Sequence, residues 1–536
     1  MRVPLVGLVL FLSATHAAAG PFLVPVSSPD GAFPLPDART VAVSPEGTHV
    51  YAGGGDTLLA FARVPATGGI TFLDAYIDGL SGIDGVAGIA AIAISADGQH
   101  VYVAGHDEDA IAIFTRTPAT GALALSDVVR DGVGGVDGVA GVDALLLSAN
   151  GAHLYAAGDE DNSVTLFTRD GGTGLLTFDE LHRHGVAGVT HMNGNASLAL
   201  APDGADLYVG SVIDDDAFAV QFRRDLGTGR LTFVPNPQGV GGFPPEGAPA
   251  LLPDGTLLYL GGAPFARDLI TGALSQTPIL GVTPISRPRE RVVDAAGTAI
   301  YQSNSWNDTL DGVWHDPYSG SVGRLESLLI GEEGLSLAPD GAHVYAVGRD
   351  TVSAVRIACV PIVVKARMVF SHLGDVPGDD VLNLRGEGIG RPGAFATLNP
   401  VASGMRIVMD QGSFPFLDAT LPAVAFGGKG TAGWRQNDTG TSWVYVDATG
   451  GPYVAGVVRL KIQDRSTLRA GQVKITLKGR DTTYPLQGFT SVPPRVRLEF
   501  GSDACFATAF QIISFLDYDC AYKSGLKLAC RLPFRP

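Results

Sequence analysis

The stretch Ile92-Ala-Ile-Ser-Ala-Asp-Gly-Gln-His-Val-Tyr-Val-Ala104 contains the pattern that decides the fold. An apolar strand leads into a tight turn that ends on Gly98, and a second strand carries Tyr102 four residues later. Asp-Gly is typical of hairpin turns because glycine readily adopts the positive φ that they require. The same offset recurs seven times, at Gly47/Tyr51, Gly98/Tyr102, Gly151/Tyr155, Gly204/Tyr208, Gly255/Tyr259, Gly297/Tyr301 and Gly341/Tyr345.

The repeat unit is long enough for four short strands. Successive repeat glycines lie 51, 53, 53, 51, 42 and 44 residues apart. In the second repeat, alternating segments at 110–116 and 123–129 follow the first two strands and are joined by a Thr120-Gly121 turn. Four-stranded units of roughly 40–50 residues in series are typical of propeller blades. The sequence therefore predicts an all-β fold, with a seven-bladed β-propeller over residues 20–360.

Two irregularities in the repeat predict how the ring closes and where it is distorted. The seventh repeat ends after its third strand, at 352–357, whereas the segment 21–28 precedes the first blade without a partner of its own. We expect 21–28 to be the outer strand of blade seven. In blade five, Ala263-Pro264-Phe265 follows the second strand with almost no loop, so we expect this blade to be short or distorted.

The repeat ends near residue 360, and a sequence pattern of a different kind, also typical of β-strands, follows. Alternating strands at 405–409, 441–446, 457–462, 472–478 and 495–500, punctuated by turn residues, predict a β-sandwich-like domain over 361–500. Residues 501–536 form a cysteine-containing tail. The four cysteines favour two disulfides, and three pairings remain open for Cys359, Cys505, Cys520 and Cys530.

The N-terminal segment indicates the cellular compartment, and the charge distribution limits the classes of partner. Residues 1–19 have the layout of a secretory signal peptide, which predicts a secreted or periplasmic protein, and no later segment has the ~20 apolar residues of a membrane span. The net charge is −17, and residues 1–360 carry 40 acidic against 17 basic side chains. This balance disfavours nucleic acid or an anionic membrane as a partner and favours cations or cationic ligands; solubility alone is the alternative explanation.

The acidic residues concentrate on one predicted face. In a four-stranded blade, the loops between strands two and three lie at the same end as the connections between blades; we call this end the loop face. Carboxylate oxygens there would suit a divalent cation such as calcium, and ordinary solvated loops are the alternative. The candidate metal ligands are Asp84, Asp137, Asp159, Asp161, Asp214 and Asp216.

Two connections depart from the repeat and supply candidate catalytic residues. Between blades three and four lie His184 and His191, and imidazole beside carboxylate could make a transition-metal site or a general base; a purely structural loop is the alternative. Before blade six lies Arg289, which could bind a carboxylate or phosphate at the channel mouth; Glu332-Glu333 is its alternative partner. The repeated histidines, by contrast, we interpret as structural: His49, His100, His153 and His343.

The strings Ser95-Ala-Asp-Gly-Gln-His-Val-Tyr-Val-Ala-Gly105 and Phe114-Thr-Arg-Thr-Pro-Ala-Thr-Gly121 resemble the YVTN-type propellers grouped with the seven-bladed lactonase family. The resemblance to these 6-phosphogluconolactonase-like proteins spans about residues 20–360 and implies the fold. The shared residues belong to strands and turns, so no family catalytic residue is carried over.

Two hypotheses of function follow. The first is a non-catalytic binding module that takes a small molecule, a cation or a protein on its acidic loop face. The second is a lactonase-like hydrolase at the channel mouth, in which His184 or His191 activates water, a cation held by nearby carboxylates polarises the carbonyl, and Arg289 orients an anionic group.

Overall fold

A computed structural model of the chain describes most of the propeller and the greater part of the second domain. The described residues are 23–26, 35–213, 216–235, 249–260, 263–276, 288–295, 297, 299–304, 309–315, 322–329, 333–348, 350–357, 360–361, 367–371, 379–389, 399–411, 414–450, 453–465, 467, 472–482, 495–500, 504–509, 512–513, 517–518, 520–524 and 527–531.

Seven four-stranded antiparallel sheets form the blades. The strands of blades one to three are Ala38–Val43, His49–Gly54, Thr57–Arg63 and Ile70–Ile77; Ile89–Ile94, His100–Gly105, Ala110–Arg116 and Leu123–Arg130; and Val142–Leu147, His153–Gly158, Ser163–Arg169 and Leu176–Arg183. Those of blades four to six are Asn195–Leu200, Asp206–Ile213, Asp216–Arg224 and Leu231–Phe233; Ala250–Leu251, Leu257–Leu260, Ala263–Arg267 and Leu274–Gln276; and Pro288–Val293, Ala299–Asn304, Thr309–His315 and Val322–Leu329. Blade seven contains Leu335–Leu337, His343–Gly348 and Thr351–Ile357, with Leu23–Val26 outermost.

The blades close into a ring around a central channel. The first strand of each blade contacts the first strands of both neighbouring blades all the way round, so these strands are innermost. The N-terminal strand Leu23–Val26 runs antiparallel to Thr351–Ile357, with Leu23 opposite Ile357. The predicted all-β propeller fold is confirmed, and the four strands of blade five are short, with two to five residues each.

A repeated polar network joins neighbouring blades at four of the interfaces, from blade seven through blade four, inside otherwise apolar surroundings. Between blades one and two, Arg116 Nε donates to the Tyr51 hydroxyl at 2.7 Å and Arg116 Nη2 lies 2.8 Å from His49 Nδ1. The Tyr51 hydroxyl donates in turn to Gly121 O at 2.7 Å. The same three contacts recur with Arg63, Arg169 and Arg224 and their partners. The four repeated histidines and the tyrosines of the same four blades are therefore structural, because His Nδ1 and the Tyr hydroxyl are used between blades.

The second domain is a β-sandwich. Its smaller sheet has the order Val360–Pro361, Ala504–Ala509, Arg495–Phe500, Met405–Gln411 and Phe414–Leu421. Its larger sheet has the order Ala432–Gln436, Ser442–Asp447, Val457–Asp464, Gln472–Thr482, Asp380–Ile389, Arg367–Ser371, Lys527–Arg531 and Cys520–Ser524. The sheets enclose one core, in which Ile407 of the first sheet and Trp434 and Leu460 of the second are buried. The helix Pro400–Ser403, the 3-10 turn Val454–Gly456 and the strand pair Ile512–Ile513 and Asp517–Tyr518 complete the described elements of this domain, and a second 3-10 turn, His106–Glu108, lies in the loop of blade two.

Described strands of the tail 501–536 extend these two sheets. The reason is backbone pairing: Ala504–Ala509 lies beside Arg495–Phe500, and Lys527–Arg531 beside Arg367–Ser371. Cys520 lies opposite Cys530 in the register of two adjacent strands. The disulfide pairing stays a prediction, and Cys359 and the signal segment 1–19 lie outside the described residues. Within the described residues, we find no helix long and apolar enough to cross a membrane.

Candidate functional site

The loops between strands two and three pack directly on the blade connections, as the topology predicts. A Cβ atom on Gly88, in the connection from blade one to blade two, would lie 2.5 Å from Asp107 Cγ. A Cβ atom on Gly141, in the next connection, would lie 2.2 Å from Asp159 Oδ1. The acidic loops and the connections therefore share one face of the propeller.

The innermost strands begin on this face with a recurring irregularity. The register between strands one and two shifts at the second residue of strand one in blades one to four, and between Pro288 and Arg291 in blade six. The shifted position lies twelve residues before the repeat tyrosine. In the five blades where the shift is described, its occupants are Arg39, Ala90, Asp143, Ala196 and Arg289. Charged and small residues therefore share this position around the channel mouth.

Four side chains from three blades meet at this level. His106 Nε2, from the loop of blade two, lies 3.4 Å from Asp159 Oδ1 and 4.0 Å from Asp143 Oδ1, both of blade three. Arg39 of blade one donates from Nη2 to Asp143 Oδ1 at 3.0 Å. The other ring nitrogen of His106 lies 3.2 Å from Asp107 Oδ1. We call His106, Asp143 and Asp159, with Arg39 beside them, the mouth cluster.

Electrostatics couple these groups. Burial by itself lowers the pKa of His106, but the hydrogen bond to Asp107 and the charges of Asp143 and Asp159 outweigh it and hold that pKa above its usual value. Burial raises the pKa of Asp143 despite the guanidinium of Arg39, since the Asp143 side chain is only 8% exposed. The mouth cluster therefore contains a charge that water solvates poorly.

The mouth cluster has the donor set of a transition-metal site. One nitrogen of His106 and one oxygen each of Asp143 and Asp159 lie within 4.8 Å of one another. Asp159 Oδ1 is buried and accepts no hydrogen bond from the described residues. Imidazole with carboxylates suits zinc, manganese or iron better than calcium, which prefers oxygen ligands alone. The side chains present fit a divalent transition metal.

Two further acidic clusters on the loop face differ because each contains an arginine. Arg130 Nη2 lies 2.7 Å from Asp84 Oδ1 and 3.4 Å from Glu108 Oε2, next to Asp78. The equivalent Arg183 lies 2.8 Å from both Asp137 and Asp161, next to Asp131. Among the predicted metal ligands, Asp84, Asp137 and Asp161 are therefore engaged by guanidinium groups.

His184 occupies a position that closes the connection between blades. Its Nδ1 accepts a hydrogen bond from Met192 N at 3.3 Å. In the two preceding connections, Asp78 accepts from Val86 N at 3.2 Å and Asp131 from Val139 N at 3.1 Å. Nδ1 of His184 thus has a structural role, and Nε2 is the ring nitrogen left for chemistry.

His191 lies at the far end of the same connection. Its backbone has φ of 61°, its ring stacks on Phe218 with centroids 5.1 Å apart, and its Nδ1 lies 3.0 Å from Thr190 Oγ1. With Thr190, Gln221 and Phe233 it lines a shallow cavity. Of the residues described, no carboxylate pairs with the ring of either His184 or His191. The structure therefore does not bring these two histidines into the mouth cluster.

The remaining predicted site residues are placed only by their backbone, or not at all. Arg289 holds the shifted strand-one position of blade six. Asp216 begins the third strand of blade four, and Asp214 lies outside the described residues. Sequence reasoning found Asp159 but missed His106 and Asp143. Aligning the blades on their tyrosines would have revealed Asp143 as a charge at the start of an apolar strand.

Comparison with known proteins supports the fold. Residues 37–184, the first three blades, match the family model described as Lactonase, 7-bladed beta-propeller, which confirms the resemblance over that segment. No curated protein matches.

Solved structures with a similar fold come from several organisms. The periplasmic gluconolactonase of Pseudomonas aeruginosa is 20% identical, with 55% of this chain and 86% of that chain covered and a TM-score of 0.43. Hydrazine synthase of Kuenenia stuttgartiensis is 14% identical, with 60% and 96% covered and a TM-score of 0.47. A protein from Lactobacillus plantarum is 18% identical, with 56% and 86% covered and a TM-score of 0.43.

Proposed function

We propose that this chain, whose first three blades match the seven-bladed lactonase family, is a binding module that holds a divalent cation and a small ligand at the channel mouth. The observation that carries the proposal is the convergence of His106, Asp143 and Asp159 from two blades, with one buried carboxylate oxygen that accepts no hydrogen bond from the described residues. The acidic balance of residues 1–360 supports a cationic ligand in the same place.

The arrangement of charges indicates how the ligand would bind. A divalent cation would replace the proton on His106 Nε2 and compete with Arg39 for Asp143 Oδ1. Arg39, whose side chain is 47% exposed, would then be free to pair with an anionic group of a small ligand at the channel. The mouth cluster supplies three ligand atoms, which leaves further coordination positions for water or for that ligand.

Calorimetric titration of the full-length chain, freed of metal by a chelator, tests the proposal. We expect one site per chain with higher affinity for zinc or manganese than for calcium. His106→Gln and Asp159→Asn should each weaken binding by at least about tenfold, because each removes a ligand atom. Asp84→Asn is the matched control, since that carboxylate pairs with Arg130 and should leave transition-metal affinity unchanged.

Two outcomes would oppose this assignment. Absence of any transition-metal binding would remove the cation from the proposal. A calcium site lost in Asp84→Asn or Asp137→Asn but not in His106→Gln would place the cation among the arginine-paired carboxylates, where the sequence alone predicts it.

A second candidate function is lactone hydrolysis, favoured by the family match over residues 37–184. Both ring nitrogens of His106 face carboxylates, so we assign the general base in this candidate to His184 Nε2 or His191, with Arg289 orienting an anionic group. Turnover of a panel of sugar lactones, with and without chelator, tests this candidate. Loss of turnover in His184→Gln or His191→Gln would support it, and no turnover by the metal-loaded chain would eliminate it.

Export is part of the proposal, on account of the signal-like residues 1–19. N-terminal sequencing of the protein recovered from the periplasm or medium of an expressing bacterium should begin near Gly20. Recovery only from the cytoplasm, with the first residues intact, would contradict it.

A further inference from the structure

Three successive blade connections present an exposed aliphatic side chain at the same position. Leu80, Val133 and Val186 are 56%, 60% and 55% exposed, respectively. They occupy the third position of the related sequences Asp78-Gly-Leu-Ser-Gly-Ile, Asp131-Gly-Val-Gly-Gly-Val and His184-Gly-Val-Ala-Gly-Val. We call these three side chains the apolar tips. They lie on the loop face, because the connections and the acidic loops pack on each other there.

The loops that carry the tips are built alike and are closed by backbone hydrogen bonds. The backbone N–H of Val133 donates to Arg130 O at 3.3 Å, and its carbonyl accepts from Val136 N at 3.1 Å. Leu80 and Val186 make the equivalent pairs of bonds. Both backbone groups of each tip are thus satisfied inside the loop, and only its side chain is offered to a partner. Backbone groups that are already bonded within the loop need not be ordered again when a partner binds.

The tips are flanked by unbalanced negative charge. The cluster of Asp78, Asp84 and Glu108 has one described arginine partner, Arg130, so three carboxylates face one guanidinium. The equivalent cluster around Arg183 has the same balance. The side chains of Asp84 and Asp137 are 56% and 54% exposed. A partner that covers the tips must therefore also bring positive charge.

We infer that the apolar tips and the flanking carboxylates form a docking surface for a cationic amphipathic segment of another protein. Its aliphatic or aromatic side chains would cover Leu80, Val133 and Val186, while its Lys or Arg residues would pair with the excess carboxylates. The negative surface repels anionic membranes and nucleic acids. The inference does not depend on a metal at the mouth cluster, because none of the tip or flanking residues belongs to it.

Fluorescence anisotropy with a labelled synthetic peptide of alternating Leu and Lys tests the inference on the full-length chain, in the presence of excess chelator. We expect saturable binding that weakens with added salt. A Leu-Glu peptide should not bind, and a Ser-Lys peptide should bind at least about tenfold more weakly, because it lacks the apolar contacts. Chelation leaves this result unchanged, which separates it from the outcome of the metal titration.

Two triple variants, one at the apolar tips and one at the opposite end of the propeller, test where the peptide binds. Leu80→Ser with Val133→Ser and Val186→Ser should weaken peptide binding by about tenfold or more without altering thermal stability, since the tips are exposed. The matched control replaces three exposed aliphatic residues in the turns between strands three and four at the opposite end, Val64, Leu226 and Leu269, which are 51%, 58% and 54% exposed. Equal losses in the two triple variants would overturn the inference. So would tip-dependent self-association, seen by sedimentation, that excludes the peptide.

Discussion

Arg39 of blade one reaches past blade two to Asp143 of blade three, with Nη2 3.0 Å from Oδ1. Both residues lie twelve positions before the tyrosine of their blade, where the register of the innermost strand shifts. The pair therefore spans part of the channel mouth. It also places a fixed positive charge on one of the three ligand atoms of the mouth cluster.

Removing that charge should strengthen metal binding. In Arg39→Gln, the incoming cation no longer competes with a guanidinium for Asp143 Oδ1. We therefore expect the affinity for zinc or manganese to rise about threefold to tenfold. The gain stays modest because the Arg39 side chain is half-exposed and its charge is screened by water. Calorimetric titration measures the change. Arg406→Gln, which breaks the Arg406–Asp418 pair in the sandwich, is the control and should have no effect. A fall in affinity in Arg39→Gln would mean that Arg39 supports the site and does not compete for it.

Metal affinity should also fall steeply as the pH is lowered. The carboxylates around His106 hold its pKa above its usual 6.5, and the metal requires the neutral ring. Between pH 8 and 6 we therefore expect affinity to decline as His106 gains a proton, with a midpoint above 6.5. Asp107→Asn removes the carboxylate at Nδ1, so the midpoint should shift to lower pH. If the decline is identical in Asp107→Asn, His106 is not the titrating ligand.

The fold could be predicted from the sequence because each blade carries its own short-range signal. The offset between Gly98 and Tyr102 recurs in every blade, since the tyrosine must reach the next blade and the glycine must turn. The second domain was harder to delimit. Ala504–Ala509 and Lys527–Arg531 pair with strands whose partners are set by the whole sandwich, and local patterns do not record long-range pairing.

The site could be predicted only in part, for a related reason. Asp159 belongs to a visibly acidic loop, whereas Asp143 is a single charge in an apolar strand and His106 precedes an acidic loop in another blade. Their meeting depends on the shift of register at the start of strand one and on how adjacent blades are placed. The arginines that engage Asp84 and Asp137 come from the end of strand four, 46 residues later in each case.

The histidines between blades should make the propeller sensitive to mild acid. Burial and the adjacent arginine lower the pKa of His100, and the same causes act on His49 and His153. Because the folded state binds a proton on His100 less readily than the unfolded state does, the free energy of unfolding is highest above the usual histidine pKa of 6.5. It falls as the pH drops below that value. Denaturant unfolding should show that the stability advantage of the wild type over His100→Gln shrinks between about pH 7 and 5. Tyr102→Phe removes a bond to Arg169 but no titrating group in this range, so its effect on stability should not change with pH. The prediction fails if both variants show the same pH profile.

Alanine substitutions at two glycines distinguish the cost of crowding these histidines from the cost of backbone strain. Gly121 and Gly132 have nearly equal φ values, 76° and 69°. A Cβ atom on Gly121 would lie 2.2 Å from His49 Cδ2, whereas one on Gly132 would meet nothing within 4 Å. Gly132→Ala should cost only the strain of a positive φ, about 1 kcal/mol, and Gly121→Ala about 1–3 kcal/mol more, because the His49 ring must move. Denaturant unfolding of both variants measures the difference.

His49→Ala completes a double-mutant cycle with Gly121→Ala. On its own, His49→Ala should destabilise the chain, since Arg116 Nη2 loses the Nδ1 acceptor at 2.8 Å. In combination, the methyl group introduced by Gly121→Ala enters the space left by the imidazole, so the double variant should be more stable than the sum of the single effects predicts. Strict additivity would show that the ring of His49 does not set the cost at Gly121, and the packing account of the repeated histidine would then be wrong.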